Sequence, residues 1–153
     1  MMNKKFFSVL LALFLVLSFA PLSFADAPAA AKAKDVQRID YDDGSYAIVT
    51  TEEIPSMARA KMQKSRKRIY EYYNGNTCEW SFTITGTFTY DGSTAKASNP
   101  GRYTTINNSS WSTSSTSAYA SGASIKGSVT MKKGSTSKTA NVTLTCKPDG
   151  TLI

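Results

Sequence analysis

The run from Cys78 to Tyr90 constrains the chain more than any other stretch. Its even positions are Cys78, Trp80, Phe82, Ile84, Gly86, Phe88 and Tyr90, and its odd positions are Glu79, Ser81, Thr83, Thr85, Thr87 and Thr89. A period of two is that of a β-strand, whose successive side chains point to opposite faces. One face is apolar and must be covered; the other carries hydroxyls and stays wet. A single strand of this length spans about 43 Å at ~3.3 Å per residue, long for a sandwich. Gly86 falls mid-run and marks a bulge, or a corner where the strand bends or changes sheet.

The same signals recur on both sides. Ile69 to Tyr73 leads through Asn74-Gly75 into the central run. Asn-Gly tolerates the positive φ of a tight hairpin turn, so the Tyr-rich segment should pair antiparallel with residues 77–84. Asp91-Gly92-Ser93 and Lys133-Gly134-Ser135 are further turns, and residues 98–110 have the composition of a loop, with Tyr103 and Ile106 as inward anchors. Trp111 to Ala120 reads as a polar strand. Ile125, Gly127, Val129 and Met131 alternate with polar residues, as do Ala140, Val142, Leu144 and Cys146. Turns every ten residues or so predict an all-β domain over 69–153, an antiparallel β-sandwich of about six to eight strands.

Upstream, Lys4 and Lys5 precede an apolar run from Phe6 to Phe19, followed by Pro21 and Ser23-Phe24-Ala25. This is the order of a secretory signal peptide, residues 1–25, cleaved after Ala25. The apolar run is short for a membrane span, which needs about 20 residues, so no stable span is expected after cleavage. The remaining chain carries 16 basic and 11 acidic side chains, net +5. Residues 26–58 are net −4 and residues 59–153 net +9. Residues 26–68 therefore read as an acidic-then-basic arm. An alanine-rich spacer opens it, and Asp42-Asp43-Gly44 between two β-prone runs predicts a hairpin that docks on the domain or stays loose. The arm is a tether or a cleaved pro-segment.

The arm ends in Arg59, Lys61, Lys64, Arg66, Lys67 and Arg68. Pro55 and Ser56 could open a short helix here. The cations read as an electrostatic anchor for an anionic polymer, as a processing site, or as a solvated linker. Nucleic acid is not expected, because no recognition motif accompanies the charge.

Cys78 and Cys146 extend two apolar faces in matching phase. In an exported chain they would pair as a disulfide or stay separate buried thiols. Closing about 68 residues would stabilise by roughly 4 kcal/mol. No metal site or cofactor is predicted. The chain has no histidine, which removes histidine-dependent triads and metal sites. The domain's carboxylates are Glu71, Glu79, Asp91 and Asp149. Glu79 falls on the wet phase, and both aspartates precede glycine in turns, where Asp binds local backbone. An enzyme is not expected. Tyr70, Tyr72 and Tyr73 cannot all point inward, so either Tyr73 or the pair Tyr70 and Tyr72 is exposed, to contact a glycan or protein or to pack across strands.

The segment Trp80 to Gly92, the later Trp111, Val142 to Cys146 and the Asp43-Gly44-Ser45-Tyr46 turn resemble a group of small secreted Ser/Thr-rich β proteins of Gram-positive bacteria. The resemblance covers about 100 residues and implies secretion and an all-β fold. The group has no established activity, so it assigns no functional residues. The expected function is non-enzymatic association with the anionic cell envelope or surface glycans. The alternative is a freely released effector, either an antimicrobial or an inhibitor of a secreted protein.

Overall fold

A computed structural model of the chain describes residues 35–54 and 62–153. The expected signal peptide, the alanine-rich spacer, the expected helix start at Pro55 and Ser56, Arg59 and Lys61 lie outside them. The described residues form eight strands and no helix: β1 (Asp35–Asp40), β2 (Tyr46–Ile54), β3 (Gln63–Asn74), β4 (Thr77–Tyr90), β5 (Ala95–Ile106), β6 (Ser112–Ser121), β7 (Ser124–Lys133) and β8 (Thr136–Thr145). All pairings are antiparallel and every strand pairs with its chain neighbour. One sheet runs β1-β2-β3-β4-β5 and the other β6-β7-β8. Residues 107–111 carry the chain between them.

The predicted hairpins are present. Gly44, Gly75, Gly92 and Gly134 all have positive φ in their turns, the backbone that glycine adopts without steric cost. The domain boundary at residue 69 needs correction. The upstream hairpin forms β1 and β2 of the large sheet, and β3 begins at Gln63. Residues 35–54 and 63–68 therefore belong to the sheet, not to an arm. The loop expected over 98–110 is also corrected, since β5 continues to Ile106. Its loop-like composition reflects an irregularity opposite Gly86, where Thr85 pairs with Gly101 but Thr87 with Ser98. Asn99 has a φ of 50° there. Gly86 does mark a bulge, yet β4 stays in one sheet throughout. Tyr103 and Ile106 are 52% and 41% exposed and do not anchor the core.

The even face of β4 makes the core. Trp80, Phe82, Ile84 and Phe88 are fully buried against Ile125, Val129, Met131 and Leu144 from the small sheet. Two glycines let the sheets interlock. A Cβ at Gly127 of β7 would overlap the Ile84 side chain, and a Cβ at Gly86 of β4 would overlap Ile125. Each sheet thus inserts an isoleucine into a gap left by a glycine on the other.

A second bulge changes the phase of β4 at its start. Tyr72 pairs with Trp80, but Tyr73 pairs with Cys78. The extra residue is Glu79, which turns inward and is 5% exposed, so the wet placement read from its odd position is overturned. Cys78 moves to the outer face beside Tyr73, while Cys146 lies in the core at 2% exposure. Both cysteines are free and the disulfide is not formed.

Replacing Gly127 by Val forces side-chain volume against Ile84 and Phe82. Overpacking of this kind costs about 1–3 kcal/mol. Urea unfolding of Gly127→Val is expected to show that loss, and an unchanged midpoint would contradict the interlock.

Candidate functional site

The described members of the basic stretch lie on β3, whose alternation divides them. Lys64, Arg66 and Arg68 share the inner face with Tyr70 and Tyr72. Lys64 Nζ donates to the Gly150 carbonyl at 3.3 Å. Arg66 pairs with Glu53 at 3.0 Å, with its side chain 11% exposed. Arg68 Nε donates to Thr51 Oγ1 at 2.8 Å and its Nη1 to the Thr143 carbonyl of β8. Burial pulls the Arg68 pKa down, because the charged form is disfavoured out of water. Lys67 faces the other way and pairs with Glu52 at 2.9 Å, and that bond raises its pKa. These four cations have partners within the fold; Arg68 joins the large sheet to β8 and Lys64 joins it to the C-terminal turn, while Arg66 and Lys67 pair with β2 inside the large sheet.

The tyrosines are placed differently from the exposed arrangement. Tyr70 and Tyr72 are 5% and 4% exposed and stack on Trp80 at 5.4 and 5.3 Å. Trp111 meets Tyr72 and Trp80 edge-on. Tyr70 and Tyr41 share a hydrogen bond between their hydroxyls. Burial first, and that bond second, push the Tyr70 hydroxyl far above its ordinary range. Tyr73 is half-buried on the outer face, stacked on Tyr46 at 4.9 Å, and the Arg38 guanidinium covers the Tyr46 ring at 3.7 Å. The tyrosines with exposed side chains are Tyr103 and Tyr119, at 52% and 54%.

Of the domain's four carboxylates, Glu79, Asp91 and Asp149 are committed to structure. Glu79 Oε2 accepts from Trp111 Nε1 and from Asn108 Nδ2, both at 2.7 Å, with Lys133 at 3.6 Å. It anchors the crossover between the sheets. Asp91 binds the amides of Ser93 and Thr94, and Asp149 that of Thr151. These bonds hold both pKa values below the usual range. Cys78 and Cys146 are both pushed up, by burial first, which disfavours a reactive thiolate. Among the described residues no three His, Cys, Asp or Glu side chains stand together to hold a metal ion.

The outer face of the small sheet has a different character. Ile125, Val129 and Met131 are buried, so the intervening β7 residues Ser124, Lys126, Ser128, Thr130 and Lys132 face out. Register places Tyr119 and Thr143 beside Lys126, Ser117 and Asn141 beside Ser128, and Ser112 and Ser137 beside Lys132. Ser124 bonds Thr145 at 2.8 Å and Thr130 bonds Thr139 at 3.1 Å across strands. Neighbouring rows are about 4.8 Å apart across strands and ~6.8 Å apart along them. Lys126 and Lys132 are exposed, and neither forms an ion pair among the described residues. From Gly92 to Pro148 the chain has seven cations (Lys96, Arg102, Lys126, Lys132, Lys133, Lys138 and Lys147) and no acidic side chain. The face is therefore hydroxyl-rich and positive. Its residues were visible as the polar phase of the strand from Ile125 to Met131; counting the charge from residue 59 onward hid how acid-free the second half is.

Comparison with family models, with curated proteins and with solved structures gave no match.

One ion pair fastens the first hairpin to the small sheet. Lys138 Nζ of β8 lies 2.6 Å from Asp43 Oδ2 and over the rings of Tyr41 and Tyr72. Hydrogen bonds from Lys138 and then Ser45 hold the Asp43 carboxyl well below the usual carboxylate range. The Asp43 bond raises the pKa of Lys138 above 10.5. A depressed carboxyl stabilises above its unfolded pKa, and that contribution fades as pH falls below about 4. A raised ammonium stabilises below its unfolded pKa, and that contribution fades above about 10.5. Asp43→Asn is expected to flatten the acid limb of a plot of thermal midpoint against pH. An unchanged acid limb would show that the pair does not fasten the hairpin.

Proposed function

We propose that the protein is exported and attaches without catalysis to an anionic, hydroxyl-bearing polymer of the cell envelope. The attachment surface is the outer face of β6, β7 and β8. The observation that carries this reading is that exposed Lys126 and Lys132, without an ion pair among the described residues, stand among rows of serine and threonine in a half-chain with no acid to oppose them. Such a surface raises the local concentration of polyanions, and the hydroxyls and Asn141 supply donors and acceptors to the repeating units. Tyr119, exposed beside Lys126, adds a ring that a sugar can cover.

This reading moves the site away from residues 64–68; Arg59 and Lys61 lie outside the described residues. Lys64, Arg66, Lys67 and Arg68 spend their charge on partners inside the fold. The signal-like segment at residues 1–25 and the likeness to small secreted β proteins are the sequence support for export. A reading as a free effector gains no support of its own.

Each cation near an anionic surface contributes about 1 kcal/mol, so losing two weakens binding about thirtyfold. Co-sedimentation of the chain from Asp26 onward with purified cell walls tests this. Wild-type protein is expected in the pellet at low salt and in the supernatant at high salt. Lys126→Ala with Lys132→Ala is expected to stay largely in the supernatant at low salt. Equal pelleting of both proteins would overturn the assignment of the face, and no pelleting of wild type would overturn the envelope reading.

A further inference from the structure

The outward column of β7 is Lys126, Ser128, Thr130 and Lys132. It is the middle of three columns, with Ser117 and Ser115 of β6 on one side and Asn141 and Thr139 of β8 on the other. Its two lysines are exposed at the ends, and Ser128 and Thr130 are half-buried between them. Successive members of the column stand ~6.8 Å apart, which separates Lys126 from Lys132 by about 20 Å. The outward columns of β6 and β8 carry hydroxyls, Tyr119 and Asn141 but no charge. The cations of this face are thus lysines alone. The one arginine after Arg68, Arg102, lies on β5 of the other sheet. Arginine's planar fork matches planar carboxylates, whereas a lysine ammonium is a compact point charge that takes a phosphate from any side. The spacing points the same way. A strand spends six main-chain bonds on two residues. A phosphodiester chain with three-carbon spacers also spends six, P–O–C–C–C–O–P, and so repeats its charge at about the same 7 Å.

We propose that the polymer held by this face is a linear phosphodiester of a three-carbon polyol, lying along β7 with one phosphate at each of Lys126, Ser128, Thr130 and Lys132. The inference rests on the polymer reading above and names the polymer. The lysines pair with the two outer phosphates. The Ser128 and Thr130 hydroxyls donate to non-bridging oxygens of the two phosphates between them. Thr139 can donate to Thr130 across the 3.1 Å that separates their hydroxyls, which frees the Thr130 proton for phosphate. Asn141 and the flanking serines meet the spacer hydroxyls. A polyuronate presents planar carboxylates instead, for which this face has no arginine.

Titration calorimetry at low salt tests the proposal, using the chain from Asp26 onward with poly(glycerol phosphate) and with polygalacturonate of equal charge number. The two hydroxyl–phosphate bonds, absent with polygalacturonate, are expected to make wild type bind poly(glycerol phosphate) about tenfold more tightly. Poly(ribitol phosphate), with eight bonds between phosphates, is expected to bind more weakly than poly(glycerol phosphate). Ser128→Ala with Thr130→Ala is expected to remove the tenfold preference and leave polygalacturonate binding unchanged. Equal wild-type affinity for poly(glycerol phosphate) and polygalacturonate would overturn the assignment of the polymer, as would a preference that survives in the hydroxyl variant. So would a protein that pellets with cell walls yet binds none of the soluble polymers. In each of those cases wild-type pelleting keeps the envelope reading in place, whereas failure to pellet removes the reading on which this inference rests.

Discussion

Two sheets can share a core only if their backbones come close enough for side chains to interdigitate, and here that approach depends on a reciprocal exchange. Ile84 fills the space that a side chain at position 127 would need, and Ile125 does the same at position 86. The two contacts key β4 to β7. Burial of Trp80, Phe82 and Phe88 on one sheet and of Val129, Met131 and Leu144 on the other follows from that closeness, and close packing rewards it. A chain rich in serine and threonine has few large apolar side chains to spend. It concentrates them on the inward phase of β4, β7 and β8.

The fold was legible wherever period and turn chemistry agreed. The run from Cys78 to Tyr90, the Asn-Gly and Asp-Gly turns and the alternation around Val129 and Val142 lead directly to the hairpins observed. What escaped were departures from a strict period of two. The bulge at Glu79 slides the phase by one residue, which sends Cys78 outward and brings a carboxylate inward to Trp111. Neither result follows from counting odd and even positions, because a bulge is set by the pairing strand as much as by its own sequence. β5 was obscured for the same reason: Asn99, Pro100 and Gly101 read as loop, yet they form an irregularity inside a strand.

The basic stretch shows how composition misleads when geometry is ignored. Six cations close together suggest a solvated patch. Once β3 is a strand, alternate residues face opposite ways: Arg68 reaches the second sheet, Lys64 reaches the C-terminal turn, and Arg66 pairs with Glu53 on β2. Their partners are two carbonyls, a threonine hydroxyl and Glu53, drawn from segments far apart in the chain. No local reading could have found them. The outer face of β6, β7 and β8 was the reverse case, since its serines, threonines and lysines read as the polar half of an alternating pattern.

The order of the strands bears on how such a chain reaches its final form. Every strand pairs with its immediate predecessor or successor, and the chain passes between sheets once. Hairpins of this kind close short loops, which costs little entropy and favours rapid local assembly. A chain delivered N-terminus first could zip up the large sheet strand by strand. The core would still lie open, because Ile125 and Leu144 come near the end. Closure waits for β7 and β8, and with them Lys138 and the carbonyl that receives Arg68. Truncation before β7 would leave a paired but uncovered sheet.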